Sequence, residues 1–180
     1  QTPPQFQSKI VGMAMTKLES NGLEHYAWFP LNFIKKEDKN DLALFELPEF
    51  SETLLKSLEL GDSDHCEVGQ EVYFVGFPYA AQMMNEGLGI NLVANKGIVS
   101  NIKRDGTDPN HPRNYLIIDA ISNPGNSGCP LLDVQTNKVL GIMNIAFRTK
   151  SQVPKYVDLD IREPMHIAAA KPINLAKELL

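Results

Sequence analysis

Asn123-Pro124-Gly125-Asn126-Ser127-Gly128-Cys129-Pro130 stands in the last third of the chain, followed by Leu131-Leu132-Asp133. A serine set between two glycines, behind a proline, has a chemical logic. Gly125 permits a backbone conformation in which successive N–H groups converge on one point, a nest for an anion. The N–H groups of Gly125 and Ser127 then bind the oxyanion of a tetrahedral intermediate while the Ser127 hydroxyl attacks a carbonyl, and Gly128 leaves room beside the nucleophile. Taken alone, the composition reads first as a plain turn, since Pro, Gly, Asn and Ser are the common turn formers.

Around this stretch the chain reads as short strands separated by turn chemistry. Strands are expected over 8–18 and 25–34, joined by Glu19-Ser20-Asn21-Gly22. Asn-Gly is a strong hairpin signal because both residues tolerate positive φ. A third strand is expected over 41–47, closed by Pro48. From residue 49 the pattern gives way to charges, Gly61, Asp64 and a short leucine-rich piece, which reads as a linker of about twenty residues with at most one helical turn. Strands restart at 71–77 and continue at 96–103, 115–120, 138–147 and 164–170, with a polar loop over 104–113. Pro172 opens a helix ending at Leu180, since proline is well tolerated in a first helical turn. Many short strands with one terminal helix define an all-β protein of sandwich or barrel type.

The 180 residues are 43% hydrophobic and 22% charged, enough for a packed core in one domain or two small lobes. Seventeen Lys and Arg against 22 Asp and Glu leave a net charge of −5, and no basic cluster favours a nucleic-acid backbone. No apolar run approaches the roughly 18 residues of a membrane span. Cys66 and Cys129 cannot build a disulfide framework and show no zinc spacing, so neither a metal nor another cofactor is expected. Cys129, in an apolar stretch, reads as a buried free thiol. The lack of a disulfide pattern leans towards a reducing compartment, so a cytoplasmic location is expected ahead of a periplasmic or secreted one. The chain starts at Gln1 without a basic-then-apolar leader, and Gln1 is expected to be a processed or truncated end.

Set among its neighbours, the serine segment is far more specific. Ile117-Ile118-Asp119-Ala120-Ile121-Ser122-Asn123-Pro124-Gly125-Asn126-Ser127-Gly128-Cys129-Pro130-Leu131-Leu132, then Val139-Leu140-Gly141-Ile142, resembles the nucleophile region of chymotrypsin-fold (trypsin-like) serine proteases, above all their bacterial HtrA (Deg) branch. Val68-Gly69-Gln70-Glu71-Val72 with Gly76-Phe77-Pro78 is similar to that branch's first strand of the second barrel, and Lys96-Gly97-Ile98-Val99-Ser100 to its next motif. Asp41-Leu42-Ala43-Leu44-Phe45-Glu46-Leu47 is similar to the segment holding the family's catalytic aspartate. The resemblance implies a two-barrel chymotrypsin-like fold. In it, 1–48 is the remainder of an incomplete first barrel, 49–68 the linker, 69–171 the second barrel and 172–180 the C-terminal helix. It further implies Ser127 as nucleophile, Asp41 as the acid that orients a histidine, and the amides of Gly125 and Ser127 as the oxyanion hole. Without the resemblance, Asp41 reads as a strand-entry residue with a solvated carboxylate. Asp119 matches a family position but precedes the loop and reads as structural. Cys129 stands where the family usually has glycine, a modest gain in volume that the second barrel is expected to tolerate.

The histidine is the difficulty. The family places it upstream of the aspartate in a small-residue–Ala–His context, and no such motif precedes Asp41. His25, sixteen residues upstream of Asp41, leaves too little chain for the intervening strands and reads as an ordinary strand residue. His65, His111 and His166 fall in a linker, a loop and a terminal strand. The histidine is therefore expected upstream of Gln1. The first barrel, short of strands, is expected to be completed by an N-terminal segment or a partner chain that covers its open edges.

The resemblance also places a pocket for the P1 side chain between Ile121, Ser122 and Asn123, ahead of the nucleophile, and Asn144, Ile145, Ala146 and Phe147 after Gly141. With Ile121 at the pocket floor instead of an acid, an apolar P1 residue is expected over Lys or Arg. Asn144, Ile145 and Ala146 would pair with substrate backbone, although Ile145 and Phe147 read equally as core. The Met-rich loop over 79–89 reads as a cover for the barrel mouth, an oligomer contact or a flexible loop. The leading expectation is a serine endopeptidase acting on protein or peptide. Its rivals are an inactive relative serving as a binding or scaffold module, and a protease completed only on activation.

Overall fold

The structure, a computed structural model, describes residues 11–47, 55–104, 114–150 and 162–180. The expected strand start at 8–10, the linker start at 49–54 and the loop over 105–113 with His111 lie outside the described residues. The chain divides into two compact units, residues 1–57 with 179–180, and residues 58–178.

In the first unit, β1 (Val11–Leu18) pairs antiparallel with β2 (Glu24–Pro30). The Asn-Gly turn closes this hairpin: Gly22 takes φ 86°, the Gly22 N–H donates to the Glu19 carbonyl at 2.9 Å, and Asn21 Oδ1 accepts from the Leu23 N–H at 2.9 Å. The run expected as one strand over 25–34 is two, because Pro30 ends β2 and β3 (Asn32–Glu37) begins beyond Leu31. Proline offers no N–H to a ladder, which favours a strand end at that position. β3 turns back into β4 (Leu42–Glu46), with Phe33 and Phe45 edge to face at 5.8 Å. These are two separate two-stranded sheets. Phe29 and Leu42 are buried, while Trp28, Phe33 and Ile34 are each more than half exposed.

The second unit closes on itself. β5 (Glu71–Gly76), β6 (Val93–Lys103), β7 (Tyr115–Asp119), β8 (Pro130–Asp133), β9 (Val139–Lys150) and β10 (Arg162–Pro172) form a barrel in the order β10-β7-β6-β5-β8-β9. Alternate residues of β5 point inward, as a half-buried strand requires. Val72, Phe74, Val99, Leu116, Ile118 and Leu131 have no exposed surface, and each such side chain contributes about 1.5–3 kcal/mol by leaving water. Close approach of strands is bought with small residues: a Cβ on Gly97 would overlap the Asp119 carbonyl oxygen, and Ala168, Ala169 and Ala170 line β10. The short turn Ser63–His65 is tied to the far end of the chain by Asp62, whose carboxylate accepts from Asn174 Nδ2 at 2.7 Å. The C-terminal helix α2 (Ile173–Lys177) is shorter than the expected 172–180; its Ile173 is buried against Leu132 and Val139.

Two elements escape a reading of the sequence. β8 is buried along Leu131, Leu132 and Asp133, so it shows no alternation to mark it as a strand. Inside the Met-rich loop lies α1 (Ala80–Asn85), which starts from Tyr79 in a left-handed conformation (φ 51°) without a side-chain cap. A six-residue helix without a capping residue leaves no start signal.

Candidate active site

Residues 120–129 connect β7 to β8 inside the second unit, and backbone hydrogen bonds tie down the second half of this loop. The Asn126 N–H donates to the Asn123 carbonyl at 3.1 Å and the Cys129 N–H to the Asn126 carbonyl at 3.2 Å, two overlapping turns. The Gly128 N–H reaches the Met143 carbonyl at 2.7 Å, and the Met143 N–H returns to the Cys129 carbonyl at 2.9 Å, which ties the loop to β9. On the other side the Tyr79 N–H donates to the Pro124 carbonyl at 2.8 Å, joining it to the segment that leaves β5. Among the described residues, the N–H groups of Gly125 and Ser127 find no acceptor. Both residues are exposed.

Gly125 sits at φ 102° and Gly128 at φ 86°, in the region where side chains other than glycine are strained. Gly125 is doubly constrained, since a Cβ there would overlap the Phe77 carbonyl oxygen. The exposed Ser127 hydroxyl donates to the Asn144 carbonyl at 3.4 Å, a long contact. Asn126, between Gly125 and Ser127, has no exposed surface.

Of the residues expected to shape a P1 pocket, Ser122 is buried, Asn123, Asn144, Ile145 and Ala146 are half-buried, and Ile121 is exposed. β8 pairs with β9 only as far as Ile142. Beyond it, Ile145 and Ala146 have β10 on one side and no strand on the other among the described residues. β10 adds residues that the sequence reading missed. Between the pairs Pro164↔Arg148 and Ala168↔Ala146, the three residues Met165, His166 and Ile167 stand against Phe147 alone, a bulge within the β9–β10 ladder. Met165 and Ile167 are each more than a third exposed. A bulge depends on its partner strand, so no pattern within 162–172 announces it.

Asp41 lies in the first unit, in the turn between β3 and β4, exposed and at φ 56°. Such a conformation is uncommon outside glycine and is tolerated by Asp. Asp119 ends β7 opposite Ile98 of β6, and its carbonyl packs against Gly97, a structural position. The described histidines are exposed: His25 Nε2 lies 3.0 Å from Glu19 Oε1, and His65 Nδ1 lies 2.9 Å from Asp62 Oδ2. His166 lies in the β10 bulge.

Both cysteines are free thiols; Cys66 is buried, whereas Cys129, expected to be buried, is half-buried. Burial pushes Cys66 from 9.0 up to about 11 and Cys129 from 9.0 up to about 12. Neutral thiols are poor nucleophiles. Both are therefore expected to resist a thiol reagent at pH 8 in the folded protein and to react fully in denaturant, as timed by intact mass. Above pH 9 the unfolded chain loses these protons first, so their effect is to lower stability as pH rises towards 11.

Comparison with known proteins places the chain in a family. The family model of the trypsin-like peptidase domain matches residues 8–142. A probable periplasmic serine endoprotease, DegP-like, of Rickettsia prowazekii (strain Madrid E) is 34% identical over 122 residues, 66% of this chain and 21% of that protein. The periplasmic pH-dependent serine endoprotease DegQ of Escherichia coli (strain K12) is 32% identical over 114 residues, 63% of this chain and 22% of its own length. Among solved structures, the HtrA-type protease AlgW with decapeptide matches 90% of this chain and 41% of its own, with a TM-score of 0.60 and 25% identity. The chain thus spans about a fifth of the length of these curated relatives. A family match of that extent, on a chain whose second unit closes as a six-stranded barrel beside such a loop, makes it a member of the trypsin-like peptidase family, in the HtrA-type branch.

Proposed function

We propose that the full-length protein is a serine endopeptidase that cleaves peptide bonds through an acyl-enzyme on Ser127. One observation carries this reading: an exposed serine hydroxyl stands beside two N–H groups, those of Gly125 and Ser127, that have no acceptor among the described residues. Donors held open before charge develops are what acyl transfer needs, since nothing must reorganise as the carbonyl oxygen becomes an oxyanion. Ser127 Oγ attacks the peptide carbonyl and passes its proton to a histidine. The tetrahedral intermediate collapses, the amine departs with that proton, and water then hydrolyses the ester. Asp41 orients the histidine, and the histidine comes from chain outside these 180 residues.

Substrate backbone adds to β9 along Ile145 and Ala146, where that strand lacks a second neighbour among the described residues. The decapeptide of the AlgW structure supports a peptide as the class of ligand. Ile121, Phe147, Met165 and Ile167 favour an apolar P1 side chain. Ile121→Asp is expected to lower kcat/KM for a peptide with an apolar P1 residue by about tenfold to a hundredfold relative to one with P1 Arg. An unchanged ratio on a P1 library would remove Ile121 from the pocket.

The test of the reaction is labelling of the full-length protein with a fluorophosphonate, read by intact mass and peptide mapping. A single adduct on Ser127 is expected. A folded protein that stays unlabelled, alone and with peptide added, would overturn the enzyme and leave a binding module.

A further inference from the structure

Asn126 is the least explained residue of the loop. It has no exposed surface, yet among the described residues neither Nδ2 nor Oδ1 finds a hydrogen-bond partner. A buried amide left unpaired costs roughly 1–3 kcal/mol, and an apolar residue would avoid that cost. What holds it is a shape. Asn126 Oδ1 lies 2.7 Å from the point where Gly76 would carry a Cβ, with Cys129 Sγ at 3.3 Å and Asn126 Cα at 3.4 Å from the same point. The side chain thus fills the space that glycine leaves at the end of β5.

Gly76 takes no positive φ, so the backbone does not require glycine there. The requirement is room. Immediately beyond it come the two other contacts between this segment and the loop. The Phe77 carbonyl oxygen packs against Gly125 where no Cβ fits, and the Tyr79 N–H bonds the Pro124 carbonyl. Gly76 meets Asn126, Phe77 meets Gly125, and Tyr79 meets Pro124, so the end of β5 and the loop run against each other over successive residues.

We infer that Gly76 is a positioning residue for the acyl-transfer step: by lacking a side chain it seats Asn126, and the seated Asn126 sets the directions of the Gly125 and Ser127 N–H groups on either side. The inference rests on the oxyanion role proposed for those amides. A methyl group at residue 76 would stand 2.7 Å from Asn126 Oδ1 and must move it by at least about 0.7 Å to reach ordinary contact. Because Asn126 is fully buried, the displacement is expected to pass to the loop that carries it, whereas a rotation of the amide alone would leave the loop in place. Displaced donors bind the oxyanion less well, and a misplacement of about 1 Å costs on the order of 100-fold in rate.

The test is a double-mutant cycle on the full-length protein. Gly76→Ala is expected to slow fluorophosphonate labelling of Ser127 at least about tenfold, with KM for a peptide substrate nearly unchanged and kcat reduced. In an Asn126→Ser background, which removes the atom that the methyl meets, adding Gly76→Ala is expected to change the labelling rate by less than about twofold. Melting temperatures of all four proteins separate misplacement from misfolding. Crystal structures of the parent and of Gly76→Ala supply a readout independent of chemistry, with a displaced Asn126 expected. Labelling at the parental rate, an equal slowing in the Asn126→Ser background, or an Asn126 that superimposes on the parent's would each overturn the inference. A parent that never labels sinks the peptidase reading instead, and the two crystal structures then decide the seat alone.

Discussion

Ser127→Ala is expected to lower peptide hydrolysis by the full-length protein on the order of 10⁶-fold while leaving its melting temperature within about 1 °C. The two halves of this expectation have different origins. The nucleophile supplies the new covalent bond, and without it the proposed oxyanion donors and substrate binding retain a residual acceleration of about 10³–10⁴-fold over water. The hydroxyl's structural worth is small because Ser127 is exposed and its one described bond, to the Asn144 carbonyl, is 3.4 Å long. Replacing such a group changes stability by a few tenths of a kcal/mol at most. Initial rates on a peptide substrate beside a thermal melt check both halves. Hydrolysis at the parental rate by the alanine variant would end the acyl-enzyme proposal, and a large loss of stability would make Ser127 structural.

The second large effect separates two glycines that look alike in the sequence. Gly125→Ala and Gly128→Ala each force a methyl-bearing residue into the left-handed region, at φ 102° and 86°, which costs about 1–2 kcal/mol. There the likeness stops. Around Gly128 nothing lies within 4 Å of the added carbon, whereas at Gly125 the carbon overlaps the carbonyl oxygen of Phe77. Gly128→Ala is thus expected to keep most of its activity at a modest loss in melting temperature. Gly125→Ala must move the backbone whose own N–H is a proposed donor, and is expected to lose about 100-fold to 1,000-fold in kcat together with a larger drop in melting temperature. Steady-state kinetics and melts of the two variants make the comparison. Equal losses in both would remove the oxyanion role from Gly125.

Much of this was legible in the residues, and what was not has identifiable causes. Period-2 patterning and the Asn21-Gly22 turn mark most strands near their observed bounds, apart from the run over 25–34, which Pro30 splits into two. β8 was invisible because a strand buried on both faces has no polar phase. The bulge of Met165, His166 and Ile167 is a mismatch of length between two strands, so it exists only once they are paired. Ser127 and its flanking glycines stood out because neighbouring residues carry the chemistry. The seat at Gly76 did not, because its partner is fifty residues further on and the interaction consists of a missing side chain.

The bonds that shape the serine loop run from the end of β5 and from β9, all within residues 58–178. The proposed cradle for a developing negative charge is accordingly a property of that unit's own tethers, whatever supplies the base. Rate acceleration then factorises: one factor belongs to the scaffold that receives the oxyanion, the other to the machinery that moves a proton. In evolutionary terms the two can be lost separately. A lineage that dropped the proton relay would keep a rigid receptor for carbonyl oxygens, so a silent member of the family would be a binder by inheritance.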